Sequence, residues 1–157
     1  MIKLSNGHVF EYMAASGAMA FSGSGWFWEQ PLRWSGLFNP RLFTVVIKTL
    51  TLKPCKGNLR WYNPFSCIRF IEGGVVNAVG LTNPGIDWWC RNIGHKIDSN
   101  RISLIASILG EPKELSEMAK MLNYFDLMGI EINASCPNTQ GEYLTNAIKI
   151  IESCQAV

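Results

Sequence analysis

Three short segments place polar, chemically competent residues directly after apolar runs. Lys48-Thr49 follows Thr44-Val45-Val46-Ile47, Asn77-Ala78-Val79-Gly80-Leu81 follows Val75-Val76, and Asn133-Ala134-Ser135-Cys136-Pro137-Asn138 follows Ile130-Glu131-Ile132. In parallel α/β sheets the C-terminal edge of the strands is where ligands bind. Each segment also has a plainer reading. A lysine at a strand end commonly snorkels into water, Asn and Gly after a strand commonly form turns, and a lone cysteine is commonly a small buried hydrophobe. Cys136 stands apart because Ser135 and Pro137 flank it, which puts the thiol on a loop. A Cys–His nucleophile needs a base, and the sequence places neither His8 nor His95 to be one. A thiolate acting as general base, in a site lined by asparagine carboxamides, is the better chemical fit. Cys55, Cys67, Cys90 and Cys154 are read as buried filler, and Trp88-Trp89 as packing.

The composition narrows the partners. The chain has 157 residues, 48% of them apolar and 17% charged, with a net charge of +2. That is one domain's worth of core-forming material. Its Lys and Arg residues are scattered, without the clustered basic footprint that nucleic-acid binding requires. The longest charge-free stretch, residues 12–28, is broken by Gly17, Gly23, Gly25 and three serines, unlike a spanning helix. Residues 1–7 hold no apolar core of a signal peptide, so a cytoplasmic protein is expected. Five cysteines, an odd number without a Cys-x-x-Cys pair, and only two histidines argue against a structural zinc site or a disulfide framework.

Positioning these segments requires alternating strands and helices, the pattern of a parallel α/β fold. Strands are expected over residues 9–15, 42–48, 74–79, 104–108 and 129–133. Several are continuous Val/Ile/Leu runs, as when both faces are covered. Ile86, Trp89, Cys90 and Ile93 form one helical stripe after the Asn83-Pro84-Gly85 turn. Glu111-Pro112 opens a second helix, with Leu115, Met118, Ala119, Leu122 and Phe125 on its apolar face. A third carries Leu144, Ala147, Ile148, Ile151 and Cys154. The loops at 22–28 and 53–64 are long and rich in Gly, Pro, Asn and Trp, which suggests functional segments. An open doubly wound sheet fits this length, and so does part of a (β/α)8 barrel, whose closed form needs about 250 residues.

Five segments in register resemble the dihydroorotate dehydrogenase family, in its soluble, cysteine-using class. They are Ala14-Ala15-Ser16-Gly17, Lys48-Thr49-Leu50-Thr51, Lys53-Pro54 with Gly57-Asn58, Asn77 to Leu81 with Asn83-Pro84-Gly85, and Glu131-Ile132-Asn133-Ala134-Ser135-Cys136-Pro137-Asn138. The resemblance implies an α/β fold, the first half of a (β/α)8 TIM barrel, with parallel strands and flanking helices. It implies FMN as cofactor and oxidation of dihydroorotate to orotate in pyrimidine biosynthesis. Cys136 would remove the C5 proton while hydride leaves C6 for the flavin. A free thiol has a pKa of about 8.5, so the site must supply thiolate or take the proton concertedly. Lys48 would stabilise negative charge at the flavin's pyrimidine edge. Ser16, Lys48, Thr49 and Asn133 would contact FMN. Lys48, Asn77, Ala78, Val79, Gly80, Leu81, Asn133 and Asn138 would contact the small-molecule substrate, whose fixed donors and acceptors suit carboxamides and backbone amides.

Cys136, where membrane-linked relatives carry serine, points to the soluble class, often a homodimer and served by an electron-transfer partner. The sequence reaches only the midpoint of that family's barrel. The expected state is therefore a partial barrel domain over residues 1–157, inactive alone, without the later strands that hold the FMN phosphate. A non-catalytic half-barrel needing a partner chain, or a flavin domain like that of dihydropyrimidine dehydrogenase, are the competing readings.

Overall fold

The structure, a computed structural model, describes residues 1–60, 62–134 and 147–157. It opens with a small antiparallel pair, β1 (Ile2–Lys3) and β2 (Val9–Phe10). The parallel sheet begins with β3 (Met13–Ala14) and continues, after the short helix α1 (Gln30–Trp34), with β4 (Thr44–Val46). An antiparallel hairpin follows, β5 (Ile68–Ile71) with β6 (Gly74–Asn77). Then come helix α2 (Ile86–Asn92), β7 (Ser103–Ile108), helix α3 (Pro112–Leu122), β8 (Gly129–Ile132) and helix α4 (Ala147–Ala156).

The main sheet has the order β3-β4-β7-β8, with every pair parallel. Its strands neighbour one another in chain order, without the reversal that defines a doubly wound sheet. Consecutive helices α2, α3 and α4 also pack on their neighbours. This singly wound arrangement is that of successive β/α units in a barrel. It decides between the two architectures that the length left open.

Period-two alternation sorts the strand residues into two layers. Val45, Ile47, Leu104, Ala106 and Ile108 meet Ile86 and Trp89 of α2 and Leu115, Met118 and Leu122 of α3 in one fully apolar cluster. Val46, Ile105 and Ser107 are buried on the other side of the sheet. Trp89 anchors the helical layer. Its indole Nε1–H donates to Phe21 O at 2.7 Å, and its ring meets Phe125 edge-on at 5.5 Å. α3 starts where Pro112 and Glu111 indicate, and Glu111 N–H donates to the Glu114 carboxylate at 3.0 Å, closing the first turn.

Several expected elements are corrected. Residues 74–79 form no core strand: among the described residues β6 pairs with β5 alone, across the two-residue Glu72-Gly73 turn, where Gly73 takes φ +76°. A short apolar run is equally compatible with a buried strand and a local hairpin, and the turn closes the hairpin first. The strand expected at 9–15 breaks at Glu11-Tyr12, its first part pairing with β1 and its second with β4. The 42–48 strand is trimmed by a 3-10 turn at Pro40–Leu42. On α4 the expected inner stripe points outward: Ile148, Ile151 and Cys154 are exposed, whereas Ser153 is fully buried. Packing against α3, rather than the helix's own periodicity, sets which face turns inward; Leu144 lies outside the described residues. Of the cysteines read as filler, Cys67 is buried and Cys55 and Cys90 half-buried, but Cys154 is exposed. Burial, with the Asp87 carboxylate nearby, pushes the Cys90 thiol up, which keeps it protonated.

Candidate functional site

The four parallel strands bring one polar side chain after another to their C-terminal ends. Ser16 follows β3, Thr49 follows β4, Ser107 lies near the end of β7, and Glu131 and Asn133 lie in and after β8. They form one hydrogen-bonded chain. Ser107 Oγ–H donates to Glu131 Oε1 at 2.8 Å, so the Ser107 oxygen accepts the Thr49 hydroxyl proton at 2.9 Å. Thr49 Oγ1 in turn accepts from Asn133 Nδ2 at 2.8 Å. Ser16 Oγ lies 2.9 Å from Thr49 Oγ1 and 3.0 Å from Ile47 O, able to donate to either. Thr49 thereby uses its single donor and one lone pair, and its second lone pair when Ser16 donates to it. The chain is polarised towards the carboxylate.

A local irregularity in β4 makes this possible. Val46 pairs with Ile105, but Leu50 pairs with Ile108, so the first strand spends one more residue than the second over the same span. That is a β-bulge, a device that re-aims side chains beside functional sites. It falls at residues 47–49 and turns Thr49 onto Ser107. The Lys48 N–H, taken out of the ladder, donates instead to Ala20 O at 2.9 Å. Ala20 reaches that position in the left-handed region, at φ +58°, which costs a non-glycine residue about 1–2 kcal/mol. The half-buried Lys48 side chain runs along Gly17, where an added Cβ would stand 3.6 Å from Lys48 Cγ.

The Asn77 to Leu81 segment sits at the foot of the hairpin, not at the end of a strand of the parallel sheet. It is zipped to residues 55–58. Asn58 N–H and Nδ2–H donate to Val79 O and Ala78 O, both at 2.9 Å, and Cys55 exchanges backbone bonds with Asn83. The buried Asn83 is the hub: its Oδ1 accepts from Gly85 N–H at 2.9 Å and Thr51 N–H at 3.2 Å, and its Nδ2 donates to Leu81 O at 2.7 Å. Leu81 is held at φ +56°, again left-handed. Thr51 lies two residues beyond Thr49, so this hub ties the segment to the Lys48 end of β4.

Of the expected site residues, then, Ser16, Thr49 and Asn133 come together, with Lys48 beside them. Asn77, Ala78, Val79, Gly80 and Leu81 approach through Asn83. Cys136 and Asn138 lie outside the described residues. Ser107 and Glu131 were not picked out from the sequence as site residues. Ser107 is an unremarkable serine inside an apolar run, and its register opposite Glu131 is the signal that places both in the site.

The model of the family described as dihydroorotate dehydrogenase matches residues 11–150. The chain belongs to the dihydroorotate dehydrogenase family. It is 34% identical over 131 residues to the catalytic subunit of dihydroorotate dehydrogenase B (NAD(+)) of Carboxydothermus hydrogenoformans, covering 80% of this chain and 38% of that one. The corresponding subunit of Desulforudis audaxviator is 37% identical over 103 residues, 63% of this chain and 31% of that one. Dihydroorotate dehydrogenase A (fumarate) of Lactobacillus helveticus is 38% identical over 104 residues, 62% and 31%. The chain spans about a third of the length of these curated relatives. The family's fold is a TIM barrel, and β3, β4, β7 and β8 are a partial half of it. Relatives named for NAD(+) and for fumarate match almost equally well, so this segment carries what the two types share.

The family is flavin-dependent, and the donor set fits such a group. The Ser16 hydroxyl, the Asn133 carboxamide and the Lys48 ammonium gather half-buried at the strand ends of a parallel sheet, with the buried Thr49 and Ser107 hydroxyls fixed behind them. This suits the carbonyls and ring nitrogens of a planar heteroaromatic ring. Among the described residues no His/Cys/Asp/Glu group could hold a metal ion, and no helix is long and apolar enough to cross a membrane.

Proposed function

We propose that this chain supplies the ring-binding and substrate-binding part of a site that oxidises dihydroorotate to orotate, in the cytoplasm and with FMN as cofactor. The observation that carries the reading is the convergence of Ser16, Lys48, Thr49 and Asn133 at the ends of three parallel strands, joined by the Thr49-centred hydrogen bonds. FMN, when bound, supplies the two-electron acceptor. Ser16, Thr49 and Asn133 hold and orient its ring, and Lys48 places a fixed positive charge where negative charge develops. Asn77 to Leu81, Asn133 and Asn138 bind the pyrimidine through amides and carboxamides, and Cys136 removes the proton from C5. Barrels usually build their phosphate grip from the loops after strands 7 and 8, beyond the four strands described.

The test is orotate formation by the flavin-loaded holoenzyme. Cys136→Ala is expected to retain flavin and to lose on the order of 100-fold or more in turnover. Lys48→Ala is expected to lose turnover with a smaller effect on dihydroorotate affinity. Turnover of Cys136→Ala within about tenfold of wild type, about 1.4 kcal/mol, would overturn the role given to Cys136.

A further inference from the structure

A cavity of about 730 Å³ opens at the other end of the sheet. It lies between the segment leading into β4 and the segment joining α2 to β7, at the N-terminal ends of those strands. β4 and β7 are the two inner strands of the sheet, so the cavity is walled without either open edge.

Its lining is cationic. Arg33, Arg41, Lys96 and Arg101 contribute four positive charges against the single carboxylate of Asp98. That carboxylate is turned onto its own loop, accepting from Asn100 N–H at 3.0 Å and Asn100 Nδ2–H at 3.1 Å. Arg33 spends one N–H on Ser24 O, and Lys96 caps Asn92 O. The guanidinium groups of Arg41 and Arg101 engage no hydrogen bond or ion pair among the described residues. Fourteen basic residues are spread over a chain of net charge +2, yet four of them meet here. Such a concentration of one sign over low-dielectric walls focuses the field and attracts anions. Behind the charges the wall is apolar, with Phe38, Ile97 and Ile102 half-buried. The volume exceeds what a bare oxyanion fills and matches small-molecule sites.

We propose that this cavity binds an organic phosphate: the phosphate bridged by Arg41 and Arg101, the apolar or aromatic body against Phe38 and Ile97. Arginine is the side chain suited to this, because its planar fork meets phosphate oxygens two at a time. The phosphate is that of a soluble ester or of a phospholipid headgroup. Trp34, Leu37 and Leu42, exposed on the segment that carries Arg33 and Arg41, suit the second source. The inference is independent of the dihydroorotate reading, since it uses residues at the opposite strand ends.

Isothermal titration with phenyl phosphate, beside inorganic phosphate, tests it. Expected are saturable binding of phenyl phosphate, tighter than inorganic phosphate and weakened by added salt, and at least tenfold weaker binding to the double variant Arg41→Gln/Arg101→Gln. Both positions are exposed and unpaired, so circular dichroism of that variant should match wild type. Arg60→Gln/Arg69→Gln, an equal charge change elsewhere, should bind like wild type. Sedimentation with vesicles of phosphatidylglycerol in phosphatidylcholine assigns the source: pelleting lost in the Arg41/Arg101 variant means a lipid headgroup, and no pelleting means a soluble ester. Failure to bind either phenyl phosphate or these vesicles, or equal binding by the two double variants, would overturn the proposal.

Discussion

Val45-Val46 and Val75-Val76 are the same dipeptide in two strands of one chain, with opposite fates. The first pair is entirely buried at the centre of the parallel sheet; the second is 53% and 48% exposed on the β5–β6 hairpin. The difference lies in what comes next along the chain. After β4, helices α2 and α3 return to cover the sheet, whereas β6 finds its partner across a two-residue turn and its faces are left exposed among the described residues. An apolar run states that burial would be favourable. Whether it happens depends on a second layer arriving.

The contrast can be broken most forcefully at the covering layer. Trp89→Ala is expected to cost about 3–5 kcal/mol, because Trp89 is fully buried between sheet and helices, whereas Phe70→Ala on the exposed hairpin should stay within about 0.5 kcal/mol. Urea unfolding of the two variants measures both. A Phe70 effect as large as that of Trp89 would mean that the hairpin is covered in solution.

The join between the two regions is next. Gly57 sits at φ +53°, and a Cβ there would stand 2.5 Å from Val79 O and 2.7 Å from Gly80 O. Gly57→Ala should therefore cost more than about 2 kcal/mol and raise hydrogen exchange at Asn58 N–H, while the amides of β7 stay protected. Uniform loss of protection would show that hairpin and sheet unfold as one unit.

Thr49→Val sharpens the comparison from the sheet side. It removes the hydroxyl that Asn133 and Ser107 share and should cost about 1–3 kcal/mol, with Thr49→Ser nearly neutral. A neutral Thr49→Val would remove Thr49 from the centre of the strand-end network.

The smallest effect is that of pH. Asp126 accepts the Ser99 backbone N–H at 2.7 Å, and bonds from Ser99 hold its carboxyl below the usual carboxylate range. Its contribution is present above the ordinary carboxylate pKa and is lost as pH falls through the depressed value. Because this surface group is well solvated, the urea midpoint should fall slightly more with acid in wild type than in Asp126→Asn. Parallel curves would show that the Ser99 contact contributes nothing.

Much of the sheet was legible beforehand. Residues 104–108 and 129–133 closely match β7 and β8, and the helices begun by Ile86 and Pro112 follow their stripes, because long periodic segments report their own burial. Ser16, Lys48, Thr49 and Asn133 could be named as candidates through the family motifs that carry them, and the structure brings them to neighbouring strand ends. Ser107 was not, since a serine within Leu104-Ile105-Ala106-Ser107-Ile108 looks like a core position until its register with Glu131 is known. The outward stripe of α4 escaped for the same reason: periodicity marks a face, but a neighbour chooses which way it turns.

The order of amino acids alone determined the alternation of strands and helices, the polar residues at the strand ends and the absence of any strong overall charge. These are local matters of periodicity, turn chemistry and composition. The bulge at residues 47–49, the left-handed Ala20 that answers the Lys48 amide, the Thr49–Ser107–Glu131 chain and the four cations around one cavity were settled only in three dimensions. Each depends on the register between strands far apart in the chain. A shift of one residue there changes every partner while leaving the local pattern untouched.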